Sequence, residues 1–199
     1  MIHKTILRAT KAVKLVALAI VMTFSYGNVS AQSSAPVKLK VVSASCAHCL
    51  APQGGNTYGA WNMVDGNPAT VWAVSLNDPS VRSYDDDRNC IYGPWFELQC
   101  KKLSHIIIRN GYGKSASSFA NNSRASHVAF EIEANGMLEW FKTPLKDDPA
   151  PQRLNVPLKI EDGNNIVVHL VFDYHGNGII KGAKWNDLCI SEIEFWGWK

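Results

Sequence analysis

Cys46-Ala-His-Cys49 is the tightest grouping of reactive side chains in the chain. A C-x-x-C pair does thiol–disulfide exchange when it sits between a strand and a helix of a βαβ unit, and with His48 it offers three metal-binding atoms. Here Ala51-Pro-Gln-Gly-Gly55 follows, which is loop and not helix. A structural zinc site also needs further ligands at regular spacing, and the sequence supplies none. The pair is therefore expected to be structural, with a thiol redox protein as the lesser alternative. Asp65-Gly-Asn-Pro-Ala-Thr70 is a tight turn carrying a carboxylate, a hydroxyl and free carbonyls. That is the oxygen-rich chemistry calcium takes in its six- to eight-fold shell. Asp85-Asp86-Asp87-Arg88 is a short charge run and reads as a solvated loop, against a second cation site or a partner contact. Glu131 and Glu133 lie two apart, so they share one face of a strand. A glycosidase pair needs a cleft between its carboxylates, so this face reads as solvent. The histidines at 48, 105, 127, 169 and 175 are scattered singly. No nucleophile elbow, zinc-protease helix or phosphate-binding loop occurs, so the sequence carries no enzyme signature.

A different chemistry is on offer in the loops. Sugar sites need an aromatic face against the apolar side of a pyranose, and polar groups around it to fix the hydroxyls. Asn110, Tyr112 and Lys114 follow one strand, and Asn121, Asn122 and Arg124 lie in the next loop. Tyr174, His175, Lys184, Trp185 and Asp187 precede the last strand. Trp185 and Tyr174 are the expected stacking residues. Trp72 and Trp95 sit in strand-like runs and are expected in the core.

The elements that must hold these residues are strands. The ending Asp187-Leu-Cys-Ile-Ser-Glu-Ile-Glu-Phe-Trp-Gly197 alternates apolar residues with acids, as a closing strand with one buried face does. Val37–Val42 and Trp95–Cys100 alternate too. Leu103–Arg109, with three successive isoleucines, reads as a strand buried on both faces. Val128–Glu133 and Met137–Phe141 flank Ala134-Asn-Gly136, and Asn-Gly between alternating runs is a strong hairpin signal. Ile166–Phe172 is another strand, Trp61–Val64 one helical turn, and residues 75–94 a long polar insertion. About eight short strands, without a sustained 3.6-residue period, predict an all-β antiparallel sandwich in a single domain.

The front of the chain is read as a signal peptide, residues 1–31. Lys4, Arg8, Lys11 and Lys14 precede an apolar run from Leu15 to Phe24, too short to span a membrane, and Val29-Ser-Ala31 offers a cleavage site. Its removal leaves sixteen Lys and Arg against seventeen Asp and Glu in residues 32–199, formally −1, where the whole chain is +3. No basic patch remains to suggest nucleic acid. Export permits disulfides. The five cysteines are an odd number, so at least one thiol is unpaired within the chain, and Cys189, in the apolar closing strand, is expected to be a buried thiol. The pairing among Cys46, Cys49, Cys90 and Cys100 stays open.

Asn62-x-x-Asp65-Gly-Asn-Pro-x-Thr70-x-Trp72, then Gly93-Pro-Trp-Phe-Glu-Leu98, resemble the opening half of a factor 5/8 type C (discoidin) domain. Arg109-Asn-Gly-Tyr-Gly-Lys-Ser115, Phe119-Ala-Asn-Asn-Ser-Arg124 and Lys184-Trp-Asn-Asp-Leu-Cys-Ile-Ser-Glu-Ile-Glu-Phe195 narrow the resemblance to the branch called the NADase-type glycan-binding domain. The resemblance runs from about residue 38 to 197 and implies a galactose-binding-like jelly-roll. It implies that the loop residues Tyr112, Lys114, Asn122, Arg124, Tyr174, His175, Trp185 and Asp187 gather at one end of the sandwich as a ligand site. Because Tyr112, Arg124 and Asp187 belong to the motif itself, they compete as a structural network. It also implies one structural calcium ion held by Asp65, Asn67 and Thr70 together with Glu192. The function so implied is a secreted, non-catalytic binding module whose partner is a glycan or glycoconjugate; the alternative is an adhesion component contacting another protein.

Overall fold

A computed structural model describes residues 35–85, 88–157, 163, 165–174 and 176–199. Two antiparallel sheets face each other. One is built from β1 (Val37–Lys38), β3 (Trp72–Ser75), β6 (Lys102–Asn110), β10 (Gln152–Asn155) and β13 (Asp187–Trp198). The other holds β2 (Val41–Ser45), β4 (Arg82–Asp85), β5 (Arg88–Leu98), β8 (His127–Ala134), β9 (Met137–Pro144) and β11 (Ile166–Asp173). A small pair, β7 (Arg124–Ala125) with β12 (Ile179–Ile180), and one short helix, α1 (Ala116–Asn121), complete the elements among the described residues. The protein is an all-β antiparallel sandwich, as the alternating runs predict.

The core lies between the sheets, where each strand turns its alternate residues inward. Ile106, Ile108, Ile193 and Phe195 face Phe96, Leu98, Phe130, Ile132, Val168 and Leu170. Trp72 stacks on Phe172 at 5.6 Å between ring centroids, and Phe96 meets Phe195 at 5.3 Å. The Asn135-Gly136 turn is the predicted hairpin: both residues have positive φ, 52° and 73°, and β8 pairs with β9 along its whole length.

Four expectations change. The single strand predicted over Val37–Val42 is split: β1 pairs with β13 in one sheet and β2 with β5 in the other, so the chain crosses between layers at Leu39-Lys40. Residues 75–94 are not a polar insertion, since β4 and the first half of β5 form a hairpin there, with Cys90 and Ile91 buried. Asp86 and Asp87, the middle of the acidic run, lie outside the described residues. Leu103–Arg109 is buried mainly on one face, since Ile107 points outward between Ile106 and Ile108. Finally, Trp95 is not core: its neighbours Phe96 and Pro94 are buried, and Trp95 stands partly exposed on the outer face of its sheet.

Candidate functional site

At one end of the sandwich three loop segments enclose a cleft of about 300 Å³. The first segment runs from Cys46 to Tyr58. Cys46 and Cys49 form a disulfide at its root, Leu50 N–H donates to Ala73 O at 2.7 Å, and Ala73 N–H donates to Tyr58 O at 3.3 Å. Both ends of the segment are thus stitched to β3. Gly54 and Gly55, with φ of 56° and 79°, make the reversal that brings Gln53 opposite Asn56. Asn62 Nδ2 donates to Thr57 O and Val71 O, so the Asn of the Asn62-x-x-Asp65 motif is a brace for this loop.

The second segment carries β6 into α1. Gly111 has φ of 74°, and a β-carbon there would lie 2.7 Å from the Phe119 ring, so the turn needs glycine. Ser191 Oγ donates to Gly111 O and accepts from Gly113 N–H, both at 2.6 Å, which pins Tyr112 between them. Ser115 caps α1 by accepting from Ser118 N–H at 3.0 Å. The third segment is held to the end of that helix. Ala183 N–H donates to Ala120 O, and Lys184 and Trp185 N–H both donate to Asn121 O.

Tyr112, Asn121, Asn122, Trp185 and Asp187 therefore meet around one cleft. Gln53, Tyr58, Ser117 and Ser118 join them, residues the sequence reading did not single out. Tyr58, an aromatic inside a Gly- and Asn-rich loop, was the available signal. The floor is apolar: Ala73 and Cys189, with Leu50 packed on them. Trp185 is half-exposed at the mouth, with the Lys184 ammonium 4.7 Å from its ring centre. Burial pushes the Asp187 carboxyl above the usual carboxylate range, and a hydrogen bond with Ser75 opposes the rise. Burial also raises the Tyr112 hydroxyl, with Tyr58 and Cys189 adding to it.

Other expected ligand residues lie elsewhere. Arg124 is buried behind the cleft: its guanidinium bonds both Asp147 carboxylate oxygens, at 2.5 and 3.1 Å, and the carbonyls of Phe119 and Asn122, and lies over the Phe119 ring. Asn110 is fully buried and bonds the Ala125 backbone from both ends of its amide. These two are framework. Lys114 is exposed beside the cleft and does not line it. Tyr174 packs at the end of β11 under the Arg82 guanidinium, 4.0 Å away. His175 lies outside the described residues.

A second cluster sits against the first. Asp65 Oδ1 accepts from Asn67 N–H at 2.8 Å, and Thr70 Oγ1 bonds Asp65 Oδ2 and Asn67 O at 2.8 and 2.7 Å. Glu192, on β13, is buried beside this turn. Burial pushes its carboxyl up to about 7, and the Asp65 carboxylate adds to the rise, against the Asn67 backbone and Lys38. Its Oε1 is buried without a hydrogen-bond partner among the described residues. Two carboxylates side by side, one with an orphaned oxygen, fit an oxygen-seeking cation. Among the described residues no group of three or more His, Cys, Asp or Glu could hold a metal, so a hydroxyl and carbonyls must complete any shell. The turn abuts the cleft wall: a β-carbon at Gly113 would touch Pro68 O and Ser191 Oγ, each at 3.0 Å.

Residues 92–196 match the family model described as NAD glycohydrolase translocation F5/8 type C domain, and the chain belongs to that family. Among solved structures it is similar to the family 32 CBM from C. perfringens NanJ in complex with galactose, at 14% identity over 80% of this chain and 99% of that one, with a TM-score of 0.47. It is also similar to the CBM32 of AlyQ in complex with 4,5-unsaturated mannuronic acid (13% identity, 80% and 97% covered, TM-score 0.42) and to GH31 CBM32-2 bound to GalNAc (17%, 81% and 98%, 0.47). No curated protein matches the chain.

Proposed function

We propose that this protein is an exported, non-catalytic module that binds carbohydrate in the end cleft. The observation that carries the reading is Trp185, an indole half-exposed at the rim of a cleft whose walls are amides, hydroxyls and one carboxylate. A pyranose laid on that indole covers apolar surface on both partners, while its hydroxyls meet Gln53, Asn121, Ser117 and Asp187. Tyr58 and Tyr112 line the cleft against its apolar floor, and every segment is braced by backbone hydrogen bonds, so little ordering remains to oppose binding. Residues 1–31 act as the export signal, which suits a protein whose Cys46–Cys49 disulfide holds the cleft loop.

In this reading one calcium ion is held by Asp65, Glu192, Asn67 and Thr70. Its role is to neutralise two adjacent carboxylates and tie the 65–70 turn to β13, beside the Gly113 wall. It does no chemistry on the ligand.

The test is calorimetric titration of the purified protein with a panel of monosaccharides and amino sugars, repeated for Trp185→Ala and Trp185→Phe. Binding that Ala abolishes and Phe retains, with unchanged melting curves, supports the cleft. Equal binding by all three proteins removes Trp185 from the site, and no binding by folded wild-type protein removes the carbohydrate reading.

A further inference from the structure

The outer faces of the two sheets differ in a way the end cleft does not use. On the β13 sheet the groups around Trp196 are matched to one another, with Glu192 at the 65–70 turn the exception. Trp196 stacks on His105 at 5.5 Å and donates its indole N–H to Glu194 at 3.0 Å, and Glu194 accepts from Lys38 at 2.9 Å. The opposite sheet carries an indole and acid pattern in which no lysine or arginine is paired to the glutamates among the described residues. Strand register places Trp95 opposite His169, His169 opposite Glu131, and Glu131 opposite Trp140, one straight row across β5, β11, β8 and β9. The adjacent row sets Glu97 and Glu133 on either side of Val167. All of these point outward, because the residues that alternate with them are the buried Phe96, Val168, Phe130, Ile132 and Phe141. Trp140 is 59% exposed and Trp95 partly exposed, its ring centre 6.4 Å from that of His169. Glu97, Glu131 and Glu133 make no ion pair or side-chain hydrogen bond among the described residues, and the nearby Lys142 is already bridged to Asp173.

We propose that this face is a second binding site, for an extended glycan chain bearing amino groups. Its two indoles stand three strand spacings apart, roughly 14 Å, so one chain crossing the strands can reach both. Three carboxylates between and beside them call for positive charge, and an ammonium near an indole face gains cation–π attraction as well. A lysine-rich peptide would also supply charge. However, each lysine must surrender side-chain freedom to place it, whereas an amino sugar carries its nitrogen on a rigid ring that itself stacks on the indole. The site is distinct from the end cleft and does not depend on it.

The probe is a β-1,4-linked glucosamine hexamer, titrated at low salt and mildly acidic pH. Wild-type protein should bind it, the fully N-acetylated hexamer should bind at least about tenfold more weakly, and Trp140→Ala and Glu131→Gln should each cost about tenfold. Trp140 is exposed, so its replacement should leave the melting curve in place. Trp185→Ala should leave this affinity unchanged, which separates the two sites. No binding, binding indifferent to Trp140→Ala, or binding lost in Trp185→Ala would overturn the proposal. So would tighter, Trp140-dependent binding of an oligolysine peptide, or a dimer that Trp140→Ala dissociates.

Discussion

Glu192 links stability to pH and, in the proposed site, to a cation. Its carboxyl is raised above the ordinary value, so in chelator the folded state favours the protonated acid. The sign follows: this group's contribution is complete below the unfolded carboxylate range and is lost as pH rises toward and through about 7. The calcium ion proposed above binds the deprotonated form and so reverses the loss. The rise in Tm on adding calcium should therefore be larger at pH 8 than at pH 5, and scanning calorimetry in calcium and in chelator checks it. Glu192→Gln should raise the chelator Tm at pH 8 and erase the calcium response. A Tm indifferent to calcium at both pH values would remove the ion from the account. The motif residues also divide by role. Arg124 and Asn110 are held in full by backbone and Asp147, so Arg124→Ala should unfold the α1 wall and not merely weaken binding. Leaving the Phe119 and Asn122 carbonyls without their donor should cost about 1–3 kcal/mol, measured by urea denaturation, while the half-exposed Asp147 carboxylate returns to water.

At the scale of elements, the cleft depends on how its loops are anchored. The Cys46–Cys49 bridge closes a very short loop, so its entropic contribution is small, about 2 kcal/mol. Its larger effect is local: it fixes the segment that carries Leu50, Gln53 and Tyr58. Cys49→Ser should lower stability by about that amount and weaken sugar binding more than a substitution of equal cost far from the loop. Comparable losses at both places would mean the bridge serves the fold alone. The long strands were legible because a buried face imposes a period of two, as in β8, β11 and β13. The Asn135-Gly136 hairpin was legible because both residues take positive φ there. Strands of two to four residues, such as β1, β7, β10 and β12, carry too few positions to show a period, and register with long neighbours makes them. The helix α1 was missed because Ala-Ser-Ser-Phe-Ala-Asn buries no residue fully, so it has no apolar stripe. Trp95 was misplaced for a related reason: a tryptophan in a strand declares its size, while the face it takes is set by its neighbours Phe96 and Leu98.

At the scale of the whole molecule, the two proposed sites lie at the end of the sandwich and on one outer face. The order and spacing of the Asn62–Trp72, Arg109–Arg124 and Lys184–Phe195 motifs pointed to the family because those segments brace one another: Asn62 holds the first loop, Ser191 the second, and Asn121 the third. The residues of the proposed site were only partly legible, since the same motifs contribute both cleft walls and framework, and sequence does not separate Tyr112 from Arg124. Chain order also hid the partnership of Tyr58 with Trp185, far apart in sequence and facing one cleft. The most direct test of the central claim is a glycan-array screen of the purified protein, in calcium and in chelator, with Trp185→Ala alongside. The account predicts reproducible binding to one sugar class by the wild-type protein and none by the variant. A clean negative from folded wild-type protein, or an identical pattern from Trp185→Ala, would contradict it.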